Sequence, residues 1–215
     1  MRSIYFPNLN GLRFFAAFSV MIYHFFGINT LNGHFGVVLF FVLSGFLITY
    51  LLLEEKQQTK TISIRKFYMR RILRIWPLYF FILFISSLVY FLNDPQQGSV
   101  YTEAIPYYIF FAANLAFVLD LAIPYIGVLW SVSSEEQFYF VWPWLIHKFR
   151  KKQVLIILVL IILTWTLLPH TLDYLNHNYF SGDPNIKIAS KVIGRMGFGA
   201  MATGALVAYF AKFNL

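Results

Sequence analysis

The sequence predicts an all-α protein, a polytopic transmembrane helical bundle of about six spans plus one re-entrant or interfacial helix. Three observations carry this. Of 215 residues, 59% are apolar and only 12% are charged, where a soluble domain has about 25% charged residues. Uncharged apolar runs such as "VLIILVLIILTWTLL" (Val154 to Leu168) approach the roughly 17–25 residues that cross a bilayer as a helix. Basic residues gather between such runs, as the positive-inside rule expects of cytoplasmic loops. The alternating segments of about ten residues that mark a membrane barrel do not occur.

The same clustering decides what the net charge of +8 means: membrane topology, with the lipid bilayer as partner and no nucleic acid. The absence of cysteine excludes disulfides, thiolate metal ligands and cysteine nucleophiles. The first apolar segment lacks a small-residue cleavage site and carries Arg13 and His24, so no cleavable signal peptide is expected.

Span one is read as Leu12 to Ile28 and span two as Phe35 to Leu53, joined by the neutral "GINTLNGH". Lys56, Lys60, Arg65, Lys66, Arg70, Arg71 and Arg74 make the segment from Glu54 to Trp76 cytoplasmic. Span three, Pro77 to Leu92, places Pro77 in a first helical turn. The following stretch, Asn93 to Glu103, has acids and no bases and suits the outer side. The next span starts near Trp130 and ends at the basic "HKFRKK" (His147 to Lys152). If Ile105 to Ile123 crossed the membrane, that cluster would face outward, so this segment is read as re-entrant or interfacial. Val154 to Leu168 then leads out to a polar loop, "PHTLDYLNHNYFSGDPNIK". The last span, Ile188 to Phe210, is rich in small residues that allow close helix approach. Lys187 and Lys191 at its outer end depart mildly from the charge rule.

Ionisable groups inside spans are costly and mark functional sites by default. Here they are Arg13, His24, Glu135, Glu136 and Arg195. Arg13 and His24 stand eleven positions apart, within roughly 20° on one helical face. Counted from the cytoplasmic side, His24 lies about 16 Å and Glu136 about 15 Å into the membrane. At one depth, the carboxylate could orient the imidazole and raise its basicity. Glu135, nearer the helix start, could serve as a capping charge. Arg70 and Arg74 share a face with Arg71 adjacent, a pattern suited to phosphate and equally to topology and anionic lipid. The five histidines are scattered, and no metal site is expected.

Four segments occur in an order that resembles the acyltransferase-3 family of integral membrane O-acyltransferases: "NLNGLRFFAAFSVMIYHFF", "GVVLFFVLSGFLITYLL", "FYMRRILRIWPLY" and "LWSVSSEEQFYFVWP". The resemblance implies transfer of an acyl group, commonly acetyl, from acyl-CoA as co-substrate to a hydroxyl of a cell-surface polysaccharide, lipopolysaccharide or other carbohydrate or glycolipid acceptor. It implies a multi-pass protein of the bacterial inner membrane. The family's arginine and histidine of the first span match Arg13 and His24, its R-x-x-x-R matches Arg70 and Arg74, and its S-x-x-E matches Ser133 to Glu136. Arg195 resembles the family's late arginine. His24, Glu136, Glu135, Arg13 and Ser133 are thus expected at the catalytic centre, with Arg70, Arg71 and Arg74 on the acyl-CoA phosphates. Asn10 and Val38 stand where the family usually has Asp. The family core is longer, so residues 1–215 are expected to form a single domain truncated at its C-terminus. The competing readings are a transporter or flippase-like protein using the buried charges as a substrate path, and an inactive truncated remnant.

Overall fold

The computed structural model describes residues 7–26, 33–93, 98–123 and 126–213. Among these residues there is no strand, and the helices are α1 (Pro7–Phe26), α2 (Gly33–Thr59), α3 (Ile64–Asn93), α4 (Gly98–Ile109), α5 (Ala113–Val118), α6 (Leu129–Lys148), α7 (Lys151–Tyr179), α8 (Pro184–Arg195) and α9 (Phe198–Phe213). Four segments are long and apolar enough to cross a membrane: Gly33–Thr59, Ile64–Leu92, Lys151–Tyr179 and Pro184–Phe213. On α7, Ile156, Leu160, Leu163 and Leu167 form an exposed apolar stripe at helical spacing. Such a stripe suits lipid and would be a liability in water.

Side-chain pairs fix the helix directions. Moving along α2, Ser44 bonds Glu135, Thr49 bonds Trp142, and Lys56 bonds the carbonyls of Ile146, His147 and Phe149. Both numbers rise together, so α2 and α6 run parallel. Helix α3 is antiparallel to α6, since Tyr68 bonds the Phe140 carbonyl and Trp76 bonds Glu136. Lys212 at the end of α9 pairs with Glu54 near the end of α2. The basic clusters at 56–60 and 148–152 therefore share one end of the bundle, hereafter the basic end.

Between α3 and α6 the chain folds back on itself. Helix α4 descends along α3, with the Tyr101 hydroxyl on Ser87 and the Tyr79 hydroxyl 2.8 Å from the Tyr108 carbonyl. The backbone then reverses at Phe111, whose φ is 54°. Helix α5 climbs back, and Asp120 (φ 57°) turns the chain toward α6. The Phe111 ring lies 4.5 Å from Tyr79 and 5.3 Å from Trp76. Ile105 to Ile123 thus runs down beside α3 to Phe111 and turns back beside α6.

Other boundaries differ from the sequence reading. Helix α3 starts at Ile64, so Pro77 lies inside it and not in a first turn. Pro77 has no N–H for the Leu73 carbonyl, and the flanking apolar packing carries the helix through. The basic segment is correspondingly helical, because Lys and Arg are good helix formers. The expected outer loop is helical as far as Tyr179. At about 1.5 Å per residue, α7 is longer than a bilayer core is thick.

The last span is broken at Gly197 (φ 68°), where an added Cβ would overlap the Phe41 ring. Below the break, α9 packs directly on α2. A Cβ on Gly45 would overlap the Met201 carbonyl, and one on Gly204 the Val42 carbonyl. These two glycines set the close approach that the small-residue run foreshadowed.

Candidate active site

Two turns into α6, the chain places Ser133, Ser134, Glu135, Glu136 and Gln137 in succession, and the helical period sends them to different neighbours. Ser133 is fully buried, and its hydroxyl oxygen accepts from the Ala113 amide at 3.3 Å. Gln137 donates to the Phe111 carbonyl and to Asn114 Oδ1, both at 2.9 Å, while Asn114 donates back at 3.1 Å. Ser133 and Gln137, four residues apart on one face, thereby hold the chain reversal at Phe111 to Asn114 against α6.

Glu135 faces α2. Its Oε1 accepts from the Ser44 hydroxyl at 2.9 Å and its Oε2 from the Tyr139 hydroxyl at 3.0 Å. The Arg71 guanidinium lies 4.8 Å from the centre of the Tyr139 ring, a cation–π contact that turns it into the bundle. Glu136 faces α3, where Oε2 accepts from Trp76 Nε1 at 3.3 Å. Its Oε1 is buried without a hydrogen-bond partner among the described residues. Glu135 is no capping charge, since the first turn of α6 contains no acid.

The three candidate phosphate-binding arginines divide. Arg71 joins the Glu135 cluster. Arg70 is exposed and lies 3.7 Å from Glu55, and Arg74 is exposed. A basic pocket of about 550 Å³, lined by Lys56, Lys60, Lys148, Arg150 and Lys151, opens at the same end. Its residues come from segments distant in sequence.

Helix register revises the depth count. A Cβ on Gly33 would meet Tyr23, and one on Gly36 would meet Ser19 and Ala16. Helices α1 and α2 are therefore antiparallel, with paired numbers summing to about 55. Continued inward, this register brings Ser44, and hence Glu135, level with about Gly11, within a turn of Arg13. Equal depth for His24 and Glu136, expected from counting, does not follow: His24, in the last turn of α1, is about 20 Å outward of that level. The counting assumed that both helices met the membrane boundary at their basic flanks, whereas α6 extends two residues past Ile146 and α1 begins before Arg13. The His24 side chain lies outside the described residues.

Sequence reasoning missed Ser44, Tyr139 and Trp76. Ser44, a hydroxyl residue within the otherwise apolar "FFVLSGFLI", was a legible signal. Tyr139 is four residues after Glu135 and so on its face. Among the described residues no group of three metal-ligating side chains occurs.

A family model described as acyltransferase domain matches residues 6–214, and the chain belongs to this acyltransferase-3 family. It is similar to the O-acetyltransferase OatA of Staphylococcus aureus, with 32% identity over 164 residues, covering 70% of this chain and 27% of that protein. It is also similar to the peptidoglycan O-acetyltransferase OatA of Listeria monocytogenes, at 32% over 155 residues, 68% of this chain and 25% of that protein. YrhL of Bacillus subtilis is 37% identical over 149 residues, 65% of this chain and 23% of its own length. The chain thus matches about a quarter of the length of these curated relatives. No solved structure is significantly similar.

Proposed function

We propose that the chain carries the membrane core of an O-acyltransferase that moves an acyl group, in the first instance acetyl, from acyl-CoA to a hydroxyl of a cell-surface carbohydrate. It sits in a bacterial inner membrane, with α1 and α6 adding two spans to the four most apolar segments and α4–α5 re-entering. The observation that carries this reading is the carboxylate of Glu135, held by the Ser44 and Tyr139 hydroxyls inside an apolar bundle, with the Arg71 guanidinium on the same Tyr139 ring. Such an arrangement is costly in a membrane and has a clear use, the stabilisation of charge that develops during transfer.

The basic end faces the cytoplasm and receives the donor. Phosphates of acyl-CoA meet the exposed Arg70 and Arg74 and the neighbouring lysine-rich pocket. The thioester arm passes the Arg13–Glu135–Arg71 cluster toward His24. There His24 takes the proton of the acceptor hydroxyl, whose oxygen forms the new ester bond at the thioester carbonyl. The carbon–sulfur bond breaks, and the departing thiolate takes up the proton. Arg13 and Arg71 supply positive charge along this route, with Arg71 held on the Tyr139 ring. Ser133 acts by positioning the re-entrant tip.

Radiolabelled acetyl-CoA incubated with the chain in lipid nanodiscs and a bacterial glycan tests this reading. Label in the glycan with matching release of CoA is expected. Glycan movement across the bilayer without CoA release would overturn it in favour of a transporter.

A further inference from the structure

Outward of the carboxylates, α2, α5, α6, α7 and the α8–α9 break line an open cavity of about 540 Å³, within the roughly 300–1,000 Å³ typical of small-molecule sites. It is lined by Phe117, Asp120, Trp130, Trp165, Lys191 and Arg195, among others. The mechanism above uses none of these. Trp130 is six residues before Glu136 on α6, so the cavity begins about 9 Å outward of the carboxylates along that helix.

We propose that this cavity holds the acceptor, and that it takes a saccharide bearing a carboxylate; the assignment to the acceptor rests on the transferase reading. Arg195 is the centre of the site. Its guanidinium lies 4.1 Å from the centre of the Phe117 ring and 5.1 Å from that of Trp130. Stacked through its faces, a guanidinium keeps its in-plane N–H fork for a planar carboxylate. Among the described residues no carboxylate forms an ion pair with it. Its backbone is held in turn, since the Ser134 hydroxyl donates to the Arg195 carbonyl at 3.4 Å and Gly197 breaks the helix directly afterwards.

The remaining walls point the same way. Lys191, one turn earlier on α8, adds a second cation, against the single acid Asp120. Trp165 Nε1 is buried without a hydrogen-bond partner among the described residues. The cavity is therefore richer in donors than in acceptors, which favours an acceptor-rich anion. Its two indoles offer flat apolar faces for the C–H surfaces of a sugar ring. Together these features also explain why lysine and arginine occur at an outer end, against the charge rule.

Binding of methyl β-glucuronide and methyl β-glucoside, which differ by one carboxylate, is measured by tryptophan fluorescence on the chain in nanodiscs without acyl-CoA. The glucuronide is expected to bind at least about tenfold tighter, and Arg195→Gln to abolish that preference. Trp165→Phe removes one N–H and keeps the ring, and is expected to weaken binding of the glucuronide about fivefold. Lys191→Gln, at an exposed position, is expected to shrink the preference and guards against misfolding of the arginine variant. Equal binding of the two sugars, binding of neither, or an unchanged preference in a folded Arg195→Gln protein would overturn the proposal. Because the assay contains no acyl donor, a preference for the carboxylate with no acyl transfer would sink the transferase reading alone, and transfer with no preference would sink this one alone.

Discussion

Ser44 of α2 donates a 2.9 Å hydrogen bond to Oε1 of Glu135 on α6, across 91 residues of sequence. The pair joins two parallel helices beside the contact of Arg71 with the Tyr139 ring. Ser44→Ala is expected to cost about 1–3 kcal/mol, the range for a buried acceptor left short of a donor. Thermal unfolding in detergent would measure it, and a double-mutant cycle with Glu135→Gln should show coupling of at least about 0.5 kcal/mol. Additive effects would mean that the two side chains do not share a network.

The α1–α2 register can be checked by distance. The native chain contains no cysteine, so spin labels can be placed without background. Labels at 13 and 135 are expected to lie closer together than labels at 24 and 135, by on the order of 10 Å from the helical rise between 13 and 24. The reverse order would restore equal depth for His24 and Glu136.

Lys56 closes the end of α6 by donating to three carbonyls, at 2.5 Å to Ile146, 3.1 Å to His147 and 3.0 Å to Phe149. These are the carbonyls that a helix end leaves without partners, and a cation there also suits the helix dipole. Lys56→Ala is expected to raise amide hydrogen exchange through the α6–α7 junction and to lower stability by about 1–2 kcal/mol. Exchange at the junction equal to that of the parent would show that Lys56 is no cap.

Gly45 and Gly204 should not tolerate alanine. Overpacking a core costs typically about 1–3 kcal/mol, and here the obstacle is backbone, which cannot swing aside. Either substitution is expected to reduce monodisperse protein on size exclusion severalfold. Gly11→Ala, with nothing within 4 Å of the added carbon, is expected to be neutral or stabilising by up to about 1 kcal/mol.

The re-entrant tip hangs on Asn114 and Gln137, whose amides bond each other in both directions. Asn114 is 1% exposed, so Gln137→Leu would strand a buried amide and release the Phe111 carbonyl. Protease sensitivity is expected to rise in the segment 109–120 and not in α7. Unchanged cleavage there would show that apolar packing alone holds the tip.

Much of this was legible in the sequence, for identifiable reasons. Charge parity pointed to a re-entrant or interfacial reading of 105–123, because two basic clusters must share a side whatever the helices between them do. The acids of "SSEEQ" stood out because carboxylates are rare in this chain. What stayed hidden depends on register between helices. Nothing local says that Glu135 turns to Ser44 while Glu136 turns to Trp76, or that Arg71 alone of three neighbouring arginines points inward. The depth of His24 failed for the same reason, since counting from basic flanks fixes each helix only to within a turn or two. Arg195 was noticed, but its aromatic clamp draws Phe117 and Trp130 from elements that only the fold brings together.

The central claim is that the Glu135 carboxylate, hydrogen-bonded to Ser44 and Tyr139, serves acyl transfer. Its most direct measurement is the rate of label transfer from radiolabelled acetyl-CoA to glycan by the chain and by Glu135→Gln, in nanodiscs, with helix content and unfolding temperature recorded for both. The account expects transfer by the parent and a loss of at least about a hundredfold in the folded variant, the scale seen when a transition-state charge contact is removed. A folded Glu135→Gln protein transferring at the parent rate would contradict it.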